Sequence, residues 1–138
     1  MLFSLRKRAD NYMQIWNADS EGLLDVYADE NLIVEYTHFK RLEGVEAYKK
    51  FLQATYKSFP DLKVDVSEII PNKKDSSAIV FWNYTGTHQN DAIFGVEPSG
   101  KEIGVNGMTF LKFKDKKVVY EKGMLDNLSL LMQLNPNK

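Results

Sequence analysis

The chain has 138 residues, of which 43% are hydrophobic and 27% are charged, a balance typical of a single globular domain over residues 1–138. It contains no cysteine, which excludes disulfide bonds, thiolate zinc ligands and a cysteine nucleophile. The net charge of -1 provides no strong field for a nucleic acid or an anionic membrane, so neither is expected as a partner.

The beginning of the chain, MLFSLRKRADNYMQIW, places basic residues after its first apolar ones and has no continuous apolar stretch. This pattern fits neither a secretory signal nor a membrane-spanning helix. A cytoplasmic protein is therefore expected.

The first part of the chain predicts helices with one strand between them. Apolar residues recur at helical spacing through residues 5–16, and Ser20 is a plausible N-cap for a second helix. The segment LIVEY at 32–36 is rich in branched and aromatic residues and predicts a strand. A third helix is predicted from Gly44 to just before Pro60, because the residue that precedes a proline avoids the helical region.

The second part predicts strands. Four runs, LKVDVSEII, SAIVFWNYTGTH, EIGVNGMTFLKF and KVVYEKGML, are separated by short turn signals. Consecutive strands joined by short turns pair antiparallel. The last segment, KGMLDNLSLLMQL at 122–134, has the apolar spacing of a short amphipathic helix. Helices before strands predict an α+β domain in which helices cover one face of a curved antiparallel sheet and enclose a pocket.

Strand alternation assigns side chains to faces without coordinates. In the run that ends at His88, one face is predicted to carry Val80, Trp82, Tyr84, Gly86 and His88. In the last strand, one face is predicted to carry Val118, Tyr120, Lys122, Met124 and Asp126, and the other Val119, Glu121, Gly123 and Leu125.

Asp126 stands between the last strand and the last helix, and two readings of it remain open. Its carboxylate is suited to cap the helix by accepting from the amide of Leu128 or Ser129. Alternatively, it lies desolvated in an apolar pocket, where its pKa rises and it removes a proton next to a carbonyl.

Two interpretations also remain open for His88 and for the aromatic pairs. His88 is either an ordinary residue at a strand end or a donor to a substrate oxygen. The pairs Tyr12 with Trp16 and Trp82 with Tyr84 each share a face, which indicates core packing or the wall of a pocket for a flat organic ligand. No metal site is expected, because His38 and His88 are the chain's two histidines and nearby carboxylates lack ligand spacing.

Four segments carry a resemblance to a known family. RLEGVEAYKKFL, SFPDLKVDV, GTHQNDAIFGVEPSGKEIGVNGMTFLKFKDKKVV and LDNLSLLMQL together resemble the SnoaL-like polyketide cyclases of the nuclear transport factor two superfamily, from about residue 5 to residue 135. The resemblance implies a cone: a strongly curved antiparallel or mixed sheet, three N-terminal helices on its concave face, a short C-terminal helix and a pocket. It also implies intramolecular aldol ring closure of a polyketide ester without metal or organic cofactor.

The resemblance also suggests site residues. The family's acid/base aspartate falls on Asp126, and the histidine of its GTH motif falls on His88, which would bind or polarise a substrate oxygen. Lys122 stands where relatives carry tryptophan. Inside the pocket it would either pair with Asp126 or bind an acidic substrate group; an outward orientation would mean that the face assignment of this strand is wrong. The predicted substrate-binding set is Tyr12, Trp16, His38, Trp82, Tyr84, Asn106, Met108, Lys122 and Met124.

Two functions therefore follow as hypotheses. The first is a cofactor-independent ester cyclase, or a related isomerase or hydrolase, in which Asp126 acts on a hydrophobic carbonyl compound and His88 or Tyr84 stabilises the enolate oxygen. The second is a module without chemistry that binds a small ligand or dimerises. A homodimer is expected through the open face of the sheet, with an apolar patch supplied by Ile79, Phe81, Phe110 and Val119.

Overall fold

The computed structural model describes residues 4–37 and 39–135. The predicted ligand contact of His38 lies outside these residues. The elements in chain order are α1 (Leu5–Met13) with a 3-10 turn (Gln14–Trp16), α2 (Leu23–Tyr27), β1 (Ala28–Tyr36), β2 (Phe39–Glu43), α3 (Val45–Ser58), β3 (Lys63–Asn72), β4 (Ser77–Thr87), β5 (Glu102–Lys114), β6 (Lys117–Leu125) and α4 (Asn127–Leu134).

The six strands form one open, mixed sheet in the order β2-β1-β6-β5-β4-β3. Each neighbouring pair is antiparallel except β1 and β6, which run parallel. Helix α1 packs against β3 and β4, and α3 packs against β1 and β2. The predicted α+β class with a mixed, cone-type sheet is confirmed.

Each long helix forms because its buried residues repeat at helical spacing. In α3, Tyr48, Leu52 and Tyr56 are buried at intervals of four residues and form one stripe toward the sheet. In α1, Ala9, Tyr12 and Met13 form the corresponding stripe. These stripes place three tyrosine hydroxyls, those of Tyr12, Tyr48 and Tyr56, in the interior, where each needs a partner.

Two local predictions need correction. Ser20 does not cap α2, whose N-cap position is Gly22 without a side-chain hydrogen bond; the Ser20 hydroxyl instead donates to the carbonyl of Ala18. Strand β2 was not predicted, because its sequence FKRLE is short and largely charged. Pairing with β1 along the backbone stabilises it.

The face assignment of β4 is confirmed. Its predicted inner residues Val80, Trp82, Tyr84 and Gly86 are all buried, and His88 just beyond the strand is buried as well. The strand pairs with β5 without a register shift over its whole length. Regular alternation therefore places these side chains correctly.

The face assignment of β6 is wrong for Val118, which does not share a face with Lys122 and Met124. A bulge interrupts its pairing with β5, since Lys112 pairs with Tyr120 while Phe113 pairs with Val118. A bulge adds one residue and moves every later side chain to the opposite face. Val118, Glu121 and Gly123 are consequently buried on the inside, whereas Lys122 and Met124 are exposed.

Gly123 permits a close approach that shapes the interior. An ideal Cβ at this position would lie 2.0 Å from the ring of Tyr36, so no larger residue fits without displacing that ring. Tyr36 and Gly123 are paired neighbours on β1 and β6. The Tyr36 ring covers the glycine, and its hydroxyl reaches Glu121.

Candidate functional site

A cavity of about 280 Å³ opens beside α3 and the loop after β4. Its wall is predominantly apolar and includes six aromatic residues. The lining residues are Trp16, Phe39, Phe51, Ala54, Thr55, Ser58, Phe59, Tyr84, Ala92, Ile93, Phe94, Leu125 and Leu130. A concave, largely apolar space with a few polar groups is the usual form of a small-molecule site.

The polar side-chain groups of this wall are the hydroxyls of Thr55, Ser58 and Tyr84 and the indole N–H of Trp16. That N–H is buried and has no hydrogen-bond partner among the described residues. The Thr55 hydroxyl donates to the carbonyl of Phe51 at 3.0 Å. Tyr84 is 5% exposed, and burial raises the pKa of its hydroxyl, which therefore keeps its proton at neutral pH. Within residues 4–37 and 39–135, that hydroxyl makes no hydrogen bond to another residue, so its donor is available.

A stack of aromatic rings connects the sheet to the cavity. The rings of Trp82 and Tyr84 are parallel with centroids 5.5 Å apart, and Trp16 lies against Tyr84 at 6.1 Å. Trp16 and Tyr84 line the cavity, and their contact with a ligand stays a prediction. Trp82 lies behind them, buried against the sheet rather than in the wall.

Behind this wall lies a buried carboxyl group that the sequence analysis did not identify as a site. Glu121 is fully buried. The Tyr12 hydroxyl donates to its Oε1 at 2.6 Å, and the Tyr48 hydroxyl donates to its Oε2 at 2.9 Å. The Tyr36 hydroxyl donates to the same Oε2. We call these four residues the Glu121 cluster, and it joins α1, β1, α3 and β6.

The protonation of Glu121 reflects two opposing effects. Burial raises its pKa above the ordinary value, while the hydrogen bonds from Tyr12, Tyr36 and Tyr48 stabilise the charged form and limit the rise. Burial and the nearby carboxyl also raise the pKa of each tyrosine well above the ordinary value. The three hydrogen bonds that the carboxyl accepts from described residues come from neutral hydroxyls, not from a cation.

The cluster extends toward the aromatic stack through Thr109. The hydroxyls of Tyr36 and Thr109 are 2.9 Å apart, and the indole N–H of Trp82 donates to the Thr109 hydroxyl at 2.9 Å. Because Trp82 stacks on Tyr84, one continuous set of contacts runs from Glu121 to the cavity wall. Tyr12, predicted as a ligand contact, belongs to this cluster and not to the wall.

Sequence reasoning missed the cluster because its hydrogen bonds join residues far apart in the chain. Glu121 is separated by 109 positions from Tyr12, by 85 from Tyr36 and by 73 from Tyr48. The sequence pattern nevertheless contained an indication of a buried acid, since strand alternation puts Glu121 on the same face as Gly123 and Leu125. An acidic residue on an otherwise apolar face needs buried partners.

Asp126 caps helix α4, which confirms the structural reading of this residue. Its side chain accepts from the amide of Ser129 at 2.9 Å, and the residue is exposed. It lies in a shallow groove on the outer face of the sheet with Asn106, Met108 and Met124. The structure thus brings four of the predicted site residues together, but on the face opposite the aromatic cavity. Leu125, directly before Asp126, lines that cavity.

Lys122 lies on the same outer face and is exposed. Its predicted position in the cone is wrong, because the bulge in β6 turns its side chain outward. Within the described chain, no salt bridge joins Lys122 to Asp126. The aromatic wall of the cavity therefore has no lysine.

His88 is fully buried at the base of the loop after β4. Its Nε2 lies 2.7 Å from the carbonyl oxygen of Asp91, and its ring packs against Phe59 at 5.7 Å. Its Nδ1 has no hydrogen-bond partner among the described residues. These contacts hold the loop that carries Ala92, Ile93 and Phe94 over the cavity.

The described residues contain no group of three histidine or acidic side chains arranged to bind a metal ion. Among the same residues, none of the helices is long and apolar enough to cross a membrane.

Solved structures with the same fold include several candidate polyketide cyclases. One from Xanthomonas campestris pv. campestris superposes with a TM-score of 0.84 at 15% identity and covers 96% of this chain and 100% of its own. A SnoaL-like candidate polyketide cyclase from Jannaschia sp. CCS1 has a TM-score of 0.80 at 17% identity and covers 99% of this chain and 97% of its own. IdmH from Streptomyces antibioticus has a TM-score of 0.79 at 18% identity and covers 96% of this chain and 99% of its own. These identities establish a common fold.

The sequence itself identifies the family. It has no match among curated proteins. Residues 7–134 match the family described as SnoaL-like polyketide cyclase, which is nearly the whole chain. The chain therefore belongs to the SnoaL-like polyketide cyclase family.

Proposed function

We propose that this protein binds a hydrophobic small molecule in the aromatic cavity. The observation that carries the proposal is the cavity itself: its wall is predominantly apolar, and it includes the Tyr84 hydroxyl, which makes no hydrogen bond to another described residue. Burial of a flat apolar molecule against such a wall is favourable by about 25 cal/mol per Å² of apolar surface removed from water. Family membership supports a small-molecule role.

Blocking the cavity tests this proposal. Ala54 lies at the rim, exposed and lining the cavity, so Ala54→Trp should fill the entrance and weaken binding of an apolar probe such as tetralin at least ten-fold. The control is Gln53→Trp on the same helix, because the Gln53 side chain contacts Glu21 and is not part of the wall. Calorimetric titration of both variants gives the dissociation constants. Equal tetralin binding by both variants would contradict the proposal.

A catalytic role for Asp126, with His88 assisting, is proposed as a second function. It is supported by family membership and by the position of Asp126 directly after Leu125, a residue of the cavity wall. In this role the carboxylate removes a proton next to a carbonyl without metal or organic cofactor. Because the carboxylate is exposed and caps α4, the reaction requires the start of α4 to turn toward the cavity.

Asp126→Asn separates the two roles of this residue. Asparagine is as good an N-cap as aspartate, so the fold should be kept while proton transfer is lost. The measurement is hydrogen–deuterium exchange at the carbon next to the carbonyl of a bound ketone. Unchanged exchange in Asp126→Asn would exclude Asp126 as the base.

The predicted homodimer is also kept as a proposal. The outer face of the sheet exposes 38% of Met108 and 56% of Met124, next to the half-buried Phe81. An apolar patch of this kind is typical of a contact between subunits. Met124→Glu should shift the mass measured by light scattering from dimer to monomer. The charge-changing control is Lys50→Glu, because Lys50 is exposed on α3, away from the outer face of the sheet.

A further inference from the structure

The properties of the cavity narrow the ligand class, provided that the proposed ligand binding is correct. The first property is size. An apolar cavity of about 150 Å³ holds one benzene molecule, and the cavity here measures about 280 Å³. Its capacity is therefore one ring or two fused rings, and a molecule with three or four fused rings exceeds it.

The second property is charge. Among the lining residues that the structure describes, none carries an ionisable acidic or basic group. Transferring an unpaired carboxylate or ammonium ion into such surroundings is strongly unfavourable. Trp16 also lies between the cavity and the Glu121 cluster, with its ring 6.2 Å from Tyr36 and 6.4 Å from Tyr48. The wall therefore favours a neutral ligand.

The third property is the hydrogen-bond donor of the wall. Tyr84 is buried between the rings of Trp16 and Trp82, so its ring has little freedom to turn its hydroxyl toward bulk water. The hydroxyl makes no hydrogen bond to another described residue. Because Tyr84 belongs to the cavity wall, an oxygen atom of a bound ligand is placed to accept from this hydroxyl.

The aromatic residues of the same wall also favour one ligand shape. Phe39 and Phe51 pack against each other with centroids 4.4 Å apart on one side, and Trp16 and Tyr84 form another part of the wall. Aromatic rings favour stacked or edge contacts with flat partners. We infer that the cavity takes a neutral, planar ligand of one or two rings whose carbonyl or ether oxygen accepts a hydrogen bond from Tyr84.

A double comparison of ligands and variants tests this inference. Tetralin and 1-tetralone differ by one ketone oxygen, and calorimetric titration measures the affinity of each. The full chain should bind 1-tetralone roughly ten-fold more tightly than tetralin. In Tyr84→Phe, that preference should disappear while tetralin binding is retained. Tyr120→Phe is the matched control, since Tyr120 bonds Glu35 away from the cavity and the preference should persist.

Two further probes test charge and size. The anion 1-naphthoate and the three-ring ketone anthrone should each bind at least ten-fold more weakly than 1-tetralone. Equal affinity for 1-tetralone and tetralin, a preference that survives in Tyr84→Phe, or tight binding of 1-naphthoate or anthrone would overturn the inference while leaving ligand binding intact. If neither tetralin nor 1-tetralone binds, the proposed function fails and the inference fails with it.

Discussion

Two carboxyl groups of this protein, those of Glu121 and Asp126, are five residues apart in the chain and have opposite surroundings. Glu121 is fully buried and accepts from three tyrosine hydroxyls. Asp126 is exposed and accepts from one backbone amide. Exposure to water and the hydrogen-bond donors around a carboxyl group therefore determine its chemistry, and the sequence motif in which it stands does not.

The difference in surroundings predicts a difference in energetics. The Asp126 side chain stays in contact with water at the N-terminus of α4, and the cost of losing its cap is modest. Glu121 has left water, and three buried hydroxyls depend on it as their acceptor. The following predictions test whether the two residues differ as strongly as their contacts indicate.

The largest effect is expected for Glu121→Ala. It removes the acceptor of Tyr12, Tyr36 and Tyr48 at once and leaves a void, so the free energy of unfolding should fall by about 3–5 kcal/mol. Denaturant unfolding followed by circular dichroism measures this change. Glu121→Gln, which keeps an acceptor oxygen and the volume, should lose distinctly less. A loss under about 1 kcal/mol in Glu121→Ala would show that the cluster is not a stabilising unit.

A smaller effect is expected for Tyr48→Phe, which deletes one donor to the Glu121 carboxyl. Removing one partner of a buried hydrogen bond leaves the other group unsatisfied at a cost of about 1–3 kcal/mol, so the free energy of unfolding should fall by about 2 kcal/mol. Tyr120→Phe is the matched control, because it deletes a hydroxyl that bonds Glu35 on the outer face, and its loss should be under about 1 kcal/mol. Equal losses in the two variants would contradict the contrast between inner and outer faces.

The ionisation of Glu121 should make the free energy of unfolding depend on pH. Its folded pKa is raised above the ordinary value of 4.5, so its contribution is fully present below that value and is lost as pH rises through the folded pKa. Over that window the free energy of unfolding should fall by up to about 1.4 kcal/mol per pH unit. Unfolding measured across this range should show the fall in the parent protein and in Asp126→Asn. In Glu121→Gln the fall should be absent, and its persistence there would assign it to another group.

The smallest effect is expected for Asp126→Ala. Loss of an N-cap side chain costs about 1 kcal/mol, and α4 is short, so its ends contribute much of its stability. Asp126→Asn should change the free energy of unfolding by under about 0.5 kcal/mol, because asparagine also accepts from the Ser129 amide. Thermal unfolding of both variants measures these changes. If Asp126 were instead buried in the cone, both substitutions would cause a large loss of unfolding free energy.

Local sequence patterns were sufficient for much of this fold. The stripes of α1 and α3 and the regular alternation of β4 predicted which side chains are buried. The cap of α4 by Asp126 was one of two readings, and it is the one observed. Trp16 and Tyr84 were correctly expected to line a cavity. These features depend on neighbours within one element, where helical and strand periodicity apply.

Only the tertiary structure decided the inner face of β6 and the partners of Glu121. The bulge between β5 and β6 depends on pairing between strands, and it places Lys122 and Met124 on the face opposite the buried Val118. The tyrosines that meet Glu121 come from α1, β1 and α3, at separations of 73 to 109 residues. Periodicity within an element shows that each of these side chains points inward, but which of them meet depends on how the elements pack, and no local pattern contains that information.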